Sequence, residues 1–151
     1  AFFHTGFVVE DVEKSVEFYR DQLGLHLVRR VDNGPAPGLS SSGIEGAHLI
    51  GAFFSMGEGH PGHQIELLQY LYPEGDDRRK DRHALGATHL CFFVDNLDEF
   101  HSTMSQSGLR FLTAPIQIER GDMVMKVVYS QDPDGNWLEF IEHISGPSPS
   151  A

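Results

Sequence analysis

The chain has 151 residues, 40% hydrophobic and 22% charged, with a formal net charge of −11, which suits one well-buried domain or two small modules sharing a core. That charge argues against nucleic acid or an anionic membrane as partner, because binding phosphates takes clustered Lys and Arg. The one dense basic stretch, Arg78-Arg79-Lys80-Asp81-Arg82, is broken by an acid and follows Asp76-Asp77, and it reads as a solvated loop face.

A single cysteine, Cys91, allows no intrachain disulfide. No apolar run reaches the roughly 18 residues of a membrane span, and the chain opens on Phe2-Phe3-His4 without a signal-peptide pattern. A soluble cytoplasmic protein is the expectation.

The first strand starts at His4, with Phe3, Thr5, Phe7 and Val9 on one face and His4, Gly6 and Val8 on the other. Val12, Val16, Tyr19 and Leu23 then recur at helical spacing, Asp11 is placed to cap them, and Gly24 is placed to end them. Strands are predicted over His26–Val31, Ala47–Phe54 and Gln64–Tyr70. The segments between are loops by composition. Residues 33–46 are rich in Gly, Pro and Ser and read as a mobile flap, 57–63 as a hairpin connection with His60 and His63 exposed, and 73–87 as a connector.

A second strand–helix pair starts at His89, with Leu97, Phe100 and Met104 at helical spacing, Asn96 and Glu99 as a capping box, and Gly108 as terminator. Strands are expected at Arg110–Leu112 with its continuation, at Met123–Tyr129 and at Trp137–Glu142. The turn before the last strand is Asp132-Pro133-Asp134-Gly135-Asn136, and the tail 145–151 reads as disordered.

"HTGFVVEDVEKSVEFYRDQLGL" and "HLCFFVDNLDEFHSTMSQSGL" therefore run in parallel, and a repeat of this length marks a duplicated supersecondary unit. The organisation is one domain, 1–151, made of a βαβββ module 1–72 and a second module 88–144. His4 and His89 open the first strands of the two modules; Glu66 and Glu139 interrupt apolar last strands. Phe7 and Val9 pack under a helix, so His4 faces away from it, as do Glu66 and Glu139 by parity. A carboxylate buried in a strand needs a cation or hydrogen bonds nearby. Two imidazoles and two carboxylates satisfy one another through a divalent metal: Ni, Co, Zn, Mn or Fe. Either residue type alone in a strand is ordinarily a surface or ion-paired group; all four standing at matching places point to a metal instead.

The pattern resembles the vicinal oxygen chelate superfamily (glyoxalase I, methylmalonyl-CoA epimerase, extradiol dioxygenases, fosfomycin and bleomycin resistance proteins). The resemblance runs from "HTGFVVEDVEKSVEFYRDQLGL" through "GATHLCFFVDNLDEF" to "DPDGNWLEFIE". It implies an α+β fold, two βαβββ modules forming a cupped mixed sheet around a metal with helices on the outer face. It implies His4, Glu66, His89 and Glu139 as ligands and Glu139 or Glu66 as general base. The implied activity is a glyoxalase-type isomerase or lyase moving a proton beside a carbonyl through a metal-stabilised enediolate. Alternatives are an epimerase-like enzyme, an Fe(II) extradiol dioxygenase, or a non-enzymatic drug-binding protein. The implied substrate is a small molecule with vicinal oxygens, such as a thiol conjugate or CoA thioester, and the implied assembly a homodimer.

Arg29, Arg30 and Lys126 are candidate contacts for an anionic substrate and Tyr70 a further substrate contact, while His48 is a candidate to face the cavity. Phe54, Tyr129 and Trp137 are candidate cleft walls or core residues, and Cys91 shares the parity of His89.

Overall fold

The structure, a computed structural model, describes residues 3–59, 62–76 and 81–147. Of the expectations above, those on His60, on Arg78, Arg79 and Lys80, and on the tail from 148 fall outside the described residues. The chain divides into two compact units, Ala1–Arg78 and Arg79–Ala151. Each carries a four-stranded mixed sheet and a helical segment.

The first unit runs β1 (His4–Val8), α1 (Val12–Glu17) continuing into a π-helical turn (Phe18–Gln22), β2 (His26–Pro35), β3 (His48–Ser55) and β4 (Gln64–Tyr72). Its strand order is β1-β4-β3-β2, with β1 parallel to β4 and the other pairs antiparallel. The second unit runs β5 (His89–Phe93), α2 (Leu97–Gln106), β6 (Ile116–Arg120), β7 (Met123–Gln131) and β8 (Trp137–Ser145). Its order, β5-β8-β7-β6, repeats the first, again with only the outer pair β5–β8 parallel. Both units are βαβββ, as the repeat predicts.

Strand alternation decides which face is dry. Phe7 is 6% exposed and Val9 4%, while Val8 between them is 54% exposed. The helical spacing holds too: Val12, Val16 and Tyr19 are buried, as are Leu97 and Met104. Asp11 accepts from the amides of Glu13 and Lys14, and Asn96 from that of Glu99, each cap contributing about 1 kcal/mol. Gly24 and Gly108 end the helical segments at φ of 74° and 94°, where a Cβ would be strained.

In each unit a backbone amide at the helix start is also bonded to a side chain of the last strand, a tie that the sequence reading missed. Gln69 Oε1 accepts from Val12 N at 3.0 Å, and Glu142 Oε2 from Leu97 N at 2.8 Å. Both acceptors stand three residues beyond the strand glutamate of their unit, so they lie on the opposite face of the strand. The signal was available as a second repeat: Glu66 to Gln69 has the spacing of Glu139 to Glu142.

Several expected boundaries move. β2 continues through Pro35, into the stretch read as a flap. As an outer strand, β2 tolerates a proline that an inner strand would not. The rest of that stretch pairs with itself: Leu39 bridges Glu45, Ser40 N donates to Ile44 O, and Gly46 N to Gly38 O. The strand expected at Arg110–Leu112 is a single bridge, Phe111 to Ser130, and regular pairing begins at Ile116, just past Pro115. Proline has no amide hydrogen to give to a ladder. β8 runs to Ser145, one residue into the expected tail.

Candidate metal-binding half-sites

Parallel pairing of first and last strand brings a histidine and a glutamate together in each unit. In the first, His4 is in register with Gln64 and Gly6 with Glu66, so His4 and Glu66 lie diagonally on one face. His4 Nε2 stands 3.1 Å from Glu66 Oε2. In the second, His89 is in register with Trp137 and Cys91 with Glu139, and His89 Nε2 stands 3.2 Å from Glu139 Oε2. The carboxylate side chains are only 17% and 14% exposed, whereas the imidazoles are 34% and 45% exposed, so each pair opens outward through its histidine.

One aromatic ring completes each pair. Phe53 pairs with Glu66 across β3–β4, and its ring meets the His4 ring edge-on at 5.6 Å. Tyr129 pairs with Glu139 across β7–β8, and its ring meets His89 edge-on at 5.6 Å. A guanidinium lies over each ring: Arg29 at 3.7 Å from the Phe53 centroid, Arg82 at 4.7 Å from that of Tyr129. Arg82 belongs to the stretch read as a solvated loop face; its contact is tertiary and leaves no mark on the local sequence.

Glu139 has two further neighbours able to donate. Burial first, then the charge of Glu139 and hydrogen bonding to it, push the Cys91 thiol up to about 12. Burial, then hydrogen bonding to Glu139 and its charge, raise the Tyr129 phenol above its ordinary value, against a smaller lowering by Arg82. Both groups therefore stay protonated at neutral pH. Cys91 is an exposed residue overall, with its thiol held against Glu139.

The remaining candidates separate by face. Arg29 lies in the row Gly6–Glu66–Phe53–Arg29, on the half-site face. Tyr70 has the strand parity of Glu66 and is half-buried opposite Leu49. Lys126 is instead in register with Glu142, on the helix side, and is ion-paired with Asp98 of α2. Arg30 grips Glu13 through two bonds of 2.5 and 2.8 Å, and His48 pairs with Asp32 at 2.8 Å. His63, expected to be exposed, is half-buried, with Nε2 at 2.8 Å from Thr5 Oγ1. Phe54 is a core residue packed on Tyr19, not a wall of the half-site. Among the described residues, no group of three or more His, Cys, Asp or Glu side chains gathers to hold a metal; the donors stand as pairs.

The turn that launches β8, and with it Glu139, is built on Asp132. This residue is 5% exposed and accepts from the amides of Asp134 (3.0 Å) and Asn136 (2.8 Å) and from Asn136 Nδ2 (2.8 Å). Gly135, at φ 86°, lets the chain reverse inside that ring of donors. Asp132→Ala strands these donors and is expected to lower unfolding free energy by about 2–4 kcal/mol. A urea midpoint unchanged from that of the parent chain would show that the turn does not depend on this carboxylate.

Comparison with known proteins identifies the family of the chain. The lactoylglutathione lyase of Haemophilus influenzae is 29% identical over 145 residues, 96% of this chain and 94% of that protein. The lactoylglutathione lyase of Pseudomonas aeruginosa is 28% identical over 159 residues, 93% of this chain and 81% of that protein. A glyoxalase family protein from Bacillus cereus shares the fold with a TM-score of 0.78, at 23% identity over 95% of this chain and 94% of its own. The sequence profile of the Glyoxalase/Bleomycin resistance protein/Dioxygenase superfamily matches residues 1–140. With two βαβββ units that each set a histidine and a glutamate on one sheet face, the chain belongs to that superfamily.

Proposed function

We propose that the chain is a metal-dependent lyase of the glyoxalase type. Its reaction would convert the hemithioacetal of a 2-oxoaldehyde and a thiol into a 2-hydroxyacyl thioester. The observation that carries the reading is the repeated His–Glu pair. Two donors bound to one ion at about 2.1 Å, at angles near 90–109°, stand roughly 3.0–3.4 Å apart. The pairs at 3.1 and 3.2 Å fit that spacing, and both exceed the roughly 2.7–2.9 Å of a tight charge-assisted hydrogen bond. Imidazole with carboxylate is a donor set suited to Zn, Ni, Co, Fe or Mn. Each pair is read as a half-site, and the proposed ligands are His4, Glu66, His89 and Glu139.

A divalent ion held there supplies Lewis-acid polarisation to adjacent substrate oxygens. The chain's own part is proton transfer. A glutamate carboxylate would take the proton from the carbon bearing sulfur and oxygen and return it to the neighbouring carbon, while the hydroxyl proton passes to the former carbonyl oxygen, so that no atom is lost and the net change is isomerisation. Arg29, on the half-site face and stacked on Phe53, supplies positive charge for an anionic thiol conjugate. Exposed apolar side chains on the same parity, Val8 and Phe93, offer dry surface to the rest of the substrate. The names of the two lyases above support this substrate class.

The test is turnover of the methylglyoxal–glutathione hemithioacetal by protein loaded in turn with Ni, Co, Zn, Mn and Fe. Thioester formation that depends on the metal is the expected result. Protein that binds metal yet forms no thioester with any of the five refutes the lyase assignment.

A further inference from the structure

Two neighbouring side chains of the first half-site each carry a buried polar atom with no partner. His4 Nδ1 and Gln64 Oε1 are both closed off from solvent, and neither makes a hydrogen bond. Such atoms are rare in folded proteins, because each gives up its bonds to water without replacement. These two belong to residues in direct register across the parallel β1–β4 pair, on the face that carries Glu66. Neighbouring strands lie about 4.7–4.9 Å apart, so rotation about the Gln64 side-chain bonds brings its amide oxygen within reach of the His4 ring.

The chemistry of the two atoms is complementary. A neutral imidazole that gives one nitrogen to a metal carries its proton on the other, and that N–H then needs an acceptor. His4 turns Nε2 toward Glu66 Oε2, at 3.1 Å, so Nδ1 is the nitrogen left to donate. The rings of Phe3, at 4.8 Å, and Phe53, at 5.6 Å, stand edge-on to His4 and fix its plane without offering it an oxygen. Gln64 Oε1 is an acceptor that lacks a donor.

The second half-site is built differently. His89 stands opposite Trp137, whose indole N–H only donates. Its side chain is also the more open, 45% exposed against 34% for His4, so water can serve its Nδ1.

We infer that Gln64 is a positioning residue: its amide oxygen accepts from His4 Nδ1–H and so keeps the Nε2 lone pair aimed at the ion. The inference rests on the metal-dependent reading above. A ring bonded through its second nitrogen is oriented before the ion arrives and has to break that bond to turn away. Gln64 is uncharged, so it sets the direction of the ring without adding charge to the donor set.

The experiment is zinc loading of the full chain carrying isotope-labelled histidine, with the imidazole N–H protons followed by NMR, and cobalt titration of the same proteins. In the zinc-bound parent, His4 should show an Nδ1–H proton that exchanges slowly with water, assigned by its absence from His4→Ala. Gln64→Met keeps an unbranched side chain and removes the amide oxygen. It is expected to abolish the slow exchange and to weaken cobalt binding by about 10-fold to 100-fold, the usual effect of removing a partner that orients a ligand. Its urea midpoint should equal or exceed that of the parent, because an apolar group replaces a buried, unpaired amide. A glutamine with a merely structural role would move the midpoint and leave the affinity alone.

Gln64→Glu, which restores an acceptor oxygen, should recover the slow proton and at least parental affinity. Gln106→Met, at an exposed position of α2, is the control and should change neither readout. Parental affinity, or a retained slow proton, in folded Gln64→Met overturns the inference while leaving the metal reading intact. Should that variant not fold, Gln64→Ala gives the second reading, with the same loss expected and parental affinity again overturning the inference. Failure of the unmodified chain to take up zinc or cobalt overturns both, and that is seen before any variant is made.

Discussion

Glu139→Ala is expected to leave a folded protein that has lost most of its metal and nearly all turnover. Glu139 is the best-surrounded donor of the proposed set. Its neighbours in sequence, Leu138 (0% exposed) and Phe140 (2%), point to the helix side and are untouched by the change. Its own side chain, on the other face, meets His89, Tyr129 and Cys91. Alanine keeps the strand and removes a partly buried carboxylate, so secondary structure and thermal midpoint should hold. What is lost is the carboxylate donor of that half-site, leaving His89 without its partner. Because ligand binding couples directly to site formation, metal content measured after dialysis should fall well below that of the parent protein. Loss of a proton-transferring or ligating carboxylate is expected to cut kcat/KM by about a hundredfold to ten-thousandfold. Metal retained at the parental level would remove Glu139 from the ligand set.

Phe140→Ala should act on the other face of the same strand, with the opposite signature. Phe140 stacks on Phe92 at 5.6 Å, meets Phe100 at 4.6 Å and lies 6.3 Å from Phe111, so four rings from β5, α2, β8 and the segment before β6 share one cluster. Truncating a buried phenylalanine typically costs about 3–5 kcal/mol, from lost transfer energy plus the cavity left behind. Against a total stability of roughly 5–15 kcal/mol, that is a large fraction. With a urea slope of about 1–3 kcal/mol per molar, the midpoint should fall by about 1–3 M. A shift below a few tenths of a molar would mean that the cluster collapses around the gap or is not a core. The two substitutions are neighbours in sequence and separate cleanly by readout: metal for Glu139, stability for Phe140.

Strand parity made that separation legible from sequence alone. Alternation put His4 and His89 on the face opposite Phe7 and Phe92, and the repeat set the two histidines and the two glutamates at matching places. Caps at Asp11 and Asn96 and terminators at Gly24 and Gly108 are local chemistry, which is why they could be read directly. β2 and β6 were misjudged for physical reasons. Edge position let Pro35 remain in a strand, while Pro115 delayed pairing to Ile116, and neither effect is visible without the neighbouring strand.

Lys126, Arg30 and His48 were candidate site residues because a cation in a strand has no obvious partner in sequence. The structure supplies Asp98, Glu13 and Asp32, the first two on helices and the third on the neighbouring strand. Tyr129 was legible as an aromatic near the site, but its distinction from Phe53 emerges only when the register aligns the two rows residue by residue. The two rows differ at both flanks of the glutamate: Gly6 and Phe53 in the first unit, Cys91 and Tyr129 in the second.

We propose the repeated His–Glu pairs as ligands rather than surface ion pairs. The most direct measurement is metal content of the purified chain after loading with cobalt and exhaustive dialysis, compared with a His4→Ala, His89→Ala double variant. Retention near one equivalent in the parent and close to none in the variant is the predicted result. Equal, negligible retention in both would contradict the claim and leave the pairs as ordinary contacts between imidazole and carboxylate.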